Sequence, residues 1–307
     1  MITLVTGSNG LVGSAVRALN PPEYFFATKE DADLLDFEQT MALFSKIKPK
    51  RVLHLAALVG GVGGNSLNSA DYFMGNLRIN INTLEAARLN GVERLVSFMS
   101  TCVFPDNVDY PLTPKSLHSG PPHPSNFGYA YAKRMLEVQT RAYRVQWGLK
   151  YSIAIPANIY GPYDNFDLEN GHVVPSLIHK IHKAKIENMP LHVWGTGKSL
   201  REFIYSEDIA RLAIWMLDNY DESDPLILSN SSESSIQTIV ELIVNLMNFS
   251  GEVVFDTSKP DGQYRKPSDS EILKSLNPEF KFVPIEEGFK RTIDWFIQNY
   301  PLVRGAN

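Results

Sequence analysis

Three observations predict an α/β fold: a Rossmann-type doubly wound parallel sheet followed by a smaller C-terminal α/β lobe. Short apolar runs alternate with amphipathic stretches through the first half of the chain. A glycine-rich turn follows the first run, and near residue 160 the rhythm changes to short elements broken by proline and asparagine. Strand–helix alternation demands right-handed crossovers, which lay the strands parallel with helices on both faces. The predicted division is 1–160 for a nucleotide-binding domain and 161–307 for mainly a substrate lobe, with some segments returning to the first domain.

The first strand is the apolar run at 2–6. Gly7-Ser8-Asn9-Gly10-Leu11-Val12-Gly13 comes straight after it and opens a helix at 11–19. Glycine lets the backbone turn tightly and approach a pyrophosphate, whose charge then sits at the helix N-terminus. Further strands are predicted at 24–28, 51–57, 94–101 and 151–155, and helices at 37–47, 69–90 and 127–146. Leu77, Ile81, Leu84 and Ala87 recur at three- and four-residue intervals, which is helical spacing. Gly91 stops that helix before the next strand. After residue 160, Pro162-Tyr-Asp-Asn165, Asn170-Gly171 and Pro175 punctuate the chain. Helices follow at 206–217, 236–248 and 285–299, with short strands at 226–228 and 253–255. No repeat, low-complexity tract or long linker interrupts them. Ligands of such sheets bind beyond the carboxyl ends of the strands, where the gap between two lobes would lie.

Composition excludes several classes. A chain of 307 residues can bury a sizeable core. A net charge of −5 gives no polycationic footprint, so nucleic acid is not an expected partner. No apolar stretch approaches the roughly 20 residues that span a bilayer, so no membrane association is expected. The opening run carries no charged leader or signal peptide, and one cysteine cannot form an internal disulfide, so a cytoplasmic location is expected. No clustered His, Cys or Asp ligands suggest a metal.

The chemistry concentrates in three places. In Tyr129-Ala-Tyr-Ala-Lys133 a tyrosine and a lysine four residues apart share one helical face, where an ammonium can hold a phenol near ionisation for proton exchange with a carbonyl or alcohol oxygen. Tyr131 precedes Lys133 by only two residues and faces away. Ser100 ends the fourth predicted strand, where its hydroxyl can donate to the same oxygen; otherwise it is a turn cap. Cys102, two residues on, is either a small buried hydrophobe or a thiolate base that removes a proton alpha to a carbonyl. His172, in Asn170-Gly-His-Val-Val-Pro175, is a candidate partner acid on a loop, one of seven histidines in the chain.

The cofactor type is read at the end of the second strand. Thr28-Lys29 offers a hydroxyl and a cation, which suits a 2′-phosphate and hence NADP. Glu30 and Asp31 follow immediately and keep an NAD-type ribose contact open. Asp33 and Leu34 would border the adenine, and Leu55, Ala56 and Ala57 would floor the cofactor.

The Gly-x-x-Gly-x-x-Gly spacing resembles the short-chain and extended dehydrogenase/reductases. Ser100-Thr-Cys-Val-Phe-Pro105, Gly120-Pro-Pro-His-Pro-Ser-Asn126, Gly128-Tyr-Ala-Tyr-Ala-Lys133, Pro156-Ala-Asn158, Gly161-Pro-Tyr-Asp-Asn-Phe166, Gly171-His-Val-Val-Pro175 and Val193-Trp-Gly-Thr-Gly197 narrow it. Together they resemble the GDP-L-fucose synthase family, the GDP-4-keto-6-deoxy-D-mannose 3,5-epimerase/4-reductases, essentially end to end through Phe255-Asp-Thr-Ser-Lys-Pro-Asp-Gly262.

That resemblance implies NADPH and the substrate GDP-4-keto-6-deoxy-D-mannose. It implies Cys102 as base and His172 as acid on opposite faces of the sugar, and Ser100 and Tyr129 as donors to the enolate oxygen. Tyr129 would then protonate the alkoxide formed by hydride transfer, while Lys133 would hold the nicotinamide ribose. Pro156, Asn158 and His172 would also border the cofactor. Trp194 would form the guanine pocket, Arg201 and Lys180 would meet the diphosphate or sugar, and Asn158 and Asn165 the hexose. Lys259, Asp261 and Arg265 would sit on a closing loop. Lys180 stands where some relatives carry arginine, and Ala157 where many carry threonine.

The family further implies a homodimer through the helices at 69–90 and 127–146, and a functional partnership with GDP-mannose 4,6-dehydratase. The rival readings are another sugar-nucleotide 4-epimerase/reductase of the extended family, or a catalytically silent nucleotide-sensing homologue.

Overall fold

In the computed structural model, described over residues 1–60, 68–259, 261 and 263–306, the first half folds as five parallel strands with helices between them. These are β1 (Thr3–Thr6), α1 (Leu11–Ala18), β2 (Tyr24–Phe26), α2 (Phe37–Ile47), β3 (Arg51–His54), α3 (Ser69–Leu89), β4 (Arg94–Phe98), α4 (Phe127–Trp147) and β5 (Lys150–Pro156). Pro260 and Gly262 of the quoted motif lie outside the described residues.

The second half contributes β6 (Asn158–Tyr160), α5 (Val173–Glu187), β7 (Leu191–Trp194), β8 (Leu200–Tyr205), α6 (Ser206–Asn219), β9 (Leu226–Leu228), β10 (Glu233–Ser235), α7 (Ile236–Leu246), β11 (Val253–Asp256), α8 (Glu271–Leu276) and α9 (Ile285–Asn299). The main sheet runs β2-β1-β3-β4-β5-β9, every pair parallel. Strands such as β1, buried at all four residues, are apolar because helices cover both faces. The order reverses between β1 and β3, so the crevice for a ligand opens beyond their carboxyl ends.

Two small sheets, β10-β8-β6 and β11-β7, build the second lobe around Tyr160, Phe166, Leu177, Ile178, Phe289 and Phe296. The chain then crosses back. β9 pairs with β5, and Ile209, Ala213, Met216 and Leu217 of α6 enter the core that contains Val5, Val16 and Leu53. Among the described residues no helix is long and apolar enough to cross a membrane.

The strands are shorter than the apolar runs suggest. β2 ends at Phe26 because Asp31 Oδ2 accepts from both the Thr28 N–H, at 2.8 Å, and the Thr28 hydroxyl, at 3.1 Å, turning the chain. β4 ends at Phe98 and a 3-10 turn occupies Thr101–Val103. The loop expected around His172 runs to His172 itself, and the Val173-Val-Pro175 part of that segment opens α5. Pro175 lies in its first turn, where the missing N–H is one the helix leaves unpaired anyway.

Beneath the crevice, buried His54 joins four elements. Thr6 Oγ1 on β1 lies 2.9 Å from its Nδ1, and Asn80 Oδ1 on α3 lies 3.1 Å from its Nε2. Asn80 Nδ2 donates to the Ala132 carbonyl of α4 at 3.5 Å. With Asn80 so oriented, Nε2 carries the proton and Nδ1 accepts from the Thr6 hydroxyl. Burial, reinforced by the charge of Lys133, pushes His54 down to about 3.

The unfolded chain, with histidine near about 6.5, therefore binds a proton that the folded chain refuses. Stability contributed at neutral pH is lost as pH falls from about 6.5 towards about 3. In His54→Gln, which does not titrate, the stability gap to the parent should shrink as pH drops from 7 to 4 in urea unfolding. A gap constant with pH would contradict a neutral buried His54.

Candidate active site

A cavity of about 1040 Å³ opens at the carboxyl ends of the main-sheet strands and extends to the second lobe. The glycine loop forms one end. Gly7 has φ +68°, and a Cβ there would stand 2.6 Å from the Ala56 backbone N; one at Gly13 would stand 2.4 Å from the Gly7 carbonyl. Only hydrogen lets the loop turn onto β3 and lets α1 approach β1. All seven loop residues, Gly7, Ser8, Asn9, Gly10, Leu11, Val12 and Gly13, line the cavity. Lys29, Asp33, Leu34, Leu55, Ala56, Ala57, Pro156, Asn158 and Asn165 line it as well.

At the ribose end, the acidic residue after β2 is committed locally. Asp31 holds Thr28, while exposed Lys29 and Glu30 reach the cavity rim. Arg17, in the last turn of α1, places Nη2 3.0 Å from Ser8 Oγ and 3.2 Å from Asn9 Oδ1, with its guanidinium over the Phe26 ring. The Ser8 hydroxyl in turn donates to the Ala27 carbonyl at 2.7 Å. Two cations, Arg17 and Lys29, thus flank the junction of glycine loop and β2. Arg17 carries no motif spacing, and only the structure reveals it.

Ser100, Tyr129, Lys133 and His172 line the other end of the same cavity. Ser100 occupies the N-cap position of the 3-10 turn, yet its hydroxyl does not cap it; its influence opposes the burial that raises the Cys102 thiol. Tyr129 and Lys133 share the buried face of α4, with the Lys133 ammonium 6.0 Å from the Tyr129 ring centre. Tyr131 faces out, beneath the guanidinium of Arg134.

Burial shifts the proton affinities of these groups. The Tyr129 phenol is pushed well above its ordinary value by burial, with the neighbouring Cys102 adding to the effect, so it is held protonated rather than near ionisation. The Lys133 ammonium, pushed down to about 8 by burial, donates its hydrogen bond to the Phe98 carbonyl at 2.9 Å. Burial likewise raises the Cys102 thiol against the opposing pull of Ser100, Lys266 and Lys133. The resting sulfur is therefore a thiol, not a thiolate.

His172 is half-exposed at the N-cap of α5. Its Nδ1 lies 3.5 Å from Oδ1 of buried Asp164, which raises its proton affinity above the ordinary value against burial and the charge of Arg304. Sequence reading passed over Asp164 as part of a turn, and it passed over Lys266, whose charge couples to Cys102.

A second cavity of about 200 Å³ adjoins the first through Asn158 and Val173, and Trp194, Arg201 and Asp261 line it. The Lys180 and Lys259 ammonium groups stand 4.9 and 5.6 Å from the Trp194 ring centre. Asp261 shapes the wall: its carboxylate accepts from the Thr196 N–H at 2.6 Å and the Thr196 hydroxyl at 2.8 Å. Asn158 Nδ2 donates to the Glu202 carbonyl at 2.8 Å, and Asn165 Oδ1 accepts from the Asp167 N–H at 3.3 Å. Arg265 does not join the site. Its guanidinium pairs with Glu233 and, like Cys102, Lys180 and Lys259, it is not among the residues lining either cavity.

Comparison with known proteins agrees with this geometry. Residues 3–228 match the model of the NAD dependent epimerase/dehydratase family. A GDP-L-fucose synthase of Dictyostelium discoideum is 46% identical, over 98% of this chain and 97% of that one. A probable GDP-L-fucose synthase of Drosophila melanogaster is 42% identical, over 98% of each. The crystal structure of a GDP-L-fucose synthetase from Naegleria fowleri bound to NADP superposes with a TM-score of 0.94 at 42% identity, covering 99% of this chain and 94% of that one. A glycine loop on the first strand, a Tyr–Lys pair beside a strand-end serine and full-length identity at this level place the chain in the NAD dependent epimerase/dehydratase family, among the GDP-L-fucose synthases.

Proposed function

We propose that this protein converts GDP-4-keto-6-deoxy-D-mannose to GDP-L-fucose by epimerisation at C3 and C5 and NADPH-dependent reduction at C4. The observation that carries the reading is that Ser100, Tyr129, Lys133 and His172 line one cavity, with Cys102 two residues past Ser100 and electrostatically coupled to Tyr129 and Lys133, although it is not itself among the lining residues. NADPH, bound along the glycine loop, supplies the hydride for C4.

The ketone acidifies the protons on C3 and C5. Cys102, once its thiol has given up its proton, removes one of them, and the hydroxyls of Ser100 and Tyr129 donate to the enolate oxygen. His172 returns a proton to the opposite face, inverting the carbon. The protonated Tyr129 then delivers its proton to the C4 alkoxide, as an acid rather than a tyrosinate. Lys133, fixed on the Phe98 carbonyl, stands behind the phenol and compensates the charge that develops there.

Each end of the substrate has a matching surface. Trp194, overlain by two lysines, suits a purine face, and Arg201 suits the diphosphate. Arg17 and Lys29 suit the 2′-phosphate that distinguishes NADPH. The keto sugar is supplied by a 4,6-dehydratase acting on GDP-mannose, a functional partnership placed in the cytoplasm.

A homodimer through α3 and α4 is part of the same proposal. These helices pack on each other and leave Met74, Ile81, Phe127, Tyr131, Met135 and Val138 on their outer face, as a four-helix interface requires.

Product analysis with NADPH tests the reaction. Wild type should form GDP-L-fucose, and Cys102→Ala only the unepimerised reduced sugar; no NADPH oxidation by wild type would overturn the reading. Fluorescence titration of Arg17→Ala and Lys29→Ala should show NADPH affinity falling about tenfold each, with NADH affinity unchanged. An equal loss for both nucleotides would exclude 2′-phosphate contact. Sedimentation at micromolar concentration should give twice the chain mass, and Val138→Asp half of that; a monomeric wild type would remove the dimer.

A further inference from the structure

The loop between β6 and α5 holds a carboxylate that the scheme above leaves without a task. Asp164 is 3% exposed and lines the large cavity. Its Oδ1 accepts the Asn165 N–H at 2.7 Å and faces His172 Nδ1 at 3.5 Å. Its Oδ2 is buried with no hydrogen-bond partner among the described residues. A buried carboxylate oxygen with no partner is costly, and one loop hydrogen bond does not account for a full charge at this place. A turn needs only the Oδ1 contact, which a neutral asparagine provides equally well.

We propose that Asp164 is the positioning residue of the epimerisation acid, accepting the Nδ1–H of His172 so that one tautomer persists and Nε2–H points at the sugar. The inference rests on the reading of His172 as that acid. The charged groups facing the imidazole are Asp164, from the loop before α5, and Arg304, from the C-terminal segment that accepts the Phe166 N–H at 2.8 Å. Asp164 raises the proton affinity of His172 and Arg304 lowers it, and the carboxylate prevails.

The proton balance closes. The Cys102 thiol first gives its proton to solvent; in each epimerisation the carbon–hydrogen bond alpha to the ketone breaks, its proton passes to the Cys102 thiolate and its electron pair to the enolate oxygen, and the sulfur releases that proton to solvent before the next step. The Nε2–H bond of His172 then breaks and its proton forms the new carbon–hydrogen bond on the opposite face. Asp164 exchanges no proton in this balance, and the half-exposed imidazole regains a proton from solvent. Asp164 touches no reacting atom.

The test is deuterium incorporation from D2O at C3 and C5, followed by NMR across pH, in wild type, Asp164→Asn, His172→Gln and the double variant. Asparagine keeps an oxygen for both the Asn165 N–H and the Nδ1–H, so melting temperature and NADPH affinity should hold. A general acid works only while protonated. Losing the carboxylate should therefore move the alkaline limb of exchange to lower pH by about one unit or more, with KM little changed. In the His172→Gln background the Asp164→Asn substitution should cost almost nothing further. Asp164→Glu, which keeps the charge but displaces it, should retain the wild-type limb at a reduced rate.

An alkaline limb unmoved in Asp164→Asn, with exchange crippled in His172→Gln, overturns the role of Asp164 and leaves that of His172. Exchange at the wild-type rate in His172→Gln overturns the reading of His172 itself. Equal losses from Asp164→Asn with and without His172 assign Asp164 to the loop alone.

Discussion

One hydrogen bond, from the Lys133 ammonium to the Phe98 carbonyl at 2.9 Å, fixes the reacting groups relative to one another. Lys133 is 3% exposed, and an ammonium so buried persists only where an acceptor compensates its desolvation. The acceptor is the last residue of β4. The bond therefore ties α4, which carries Tyr129 one turn earlier, to the strand end that continues into Ser100 and Cys102. Below it, the Thr6–His54–Asn80 chain braces β1, β3 and α3 and meets α4 at Ala132. The phenol, the hydroxyl and the thiol sit on one rigid junction rather than on independent loops.

From that junction the chemistry divides along the cavity. The low dielectric that raises Tyr129 also raises Cys102, so the proton donor is ready while the base forms only by giving up a proton. His172 is the counterexample. It stands half-exposed on the cavity wall with a carboxylate beside it, and its proton affinity rises through that carboxylate against burial. Two groups whose environments differ in this way are what the proposed two-face epimerisation demands. The second lobe then holds the remote part of the substrate: its smaller cavity meets the larger one at Asn158 and Val173.

Legibility in the sequence followed the range of the interactions. The glycine loop and the Tyr129–Lys133 face could be read because each depends on spacing within one or two turns. Tyr131 was correctly set aside for the same reason. The strands β6, β7 and β10, of three or four residues, and the six-residue β8 were not read, since they pair only with one another or with β11 in small sheets away from the alternating pattern. Arg17 and Asp164 acquire meaning only through Ser8, Asn9 and His172, and Arg265 loses its expected place only because Glu233 folds beside it. The burial that raises Tyr129 and Cys102 could not be read at all, because a sequence displays the nearby cation and not the depth of the side chain.

The central claim is that one cavity exchanges two carbon-bound protons with solvent and then reduces the ketone between them. A single turnover in D2O with unlabelled NADPH and the 4-keto sugar, followed by mass and NMR analysis of the product, tests it directly. The account predicts GDP-L-fucose carrying solvent deuterium at C3 and C5 and cofactor-derived protium at C4. A reduced product without solvent deuterium at either carbon would contradict it.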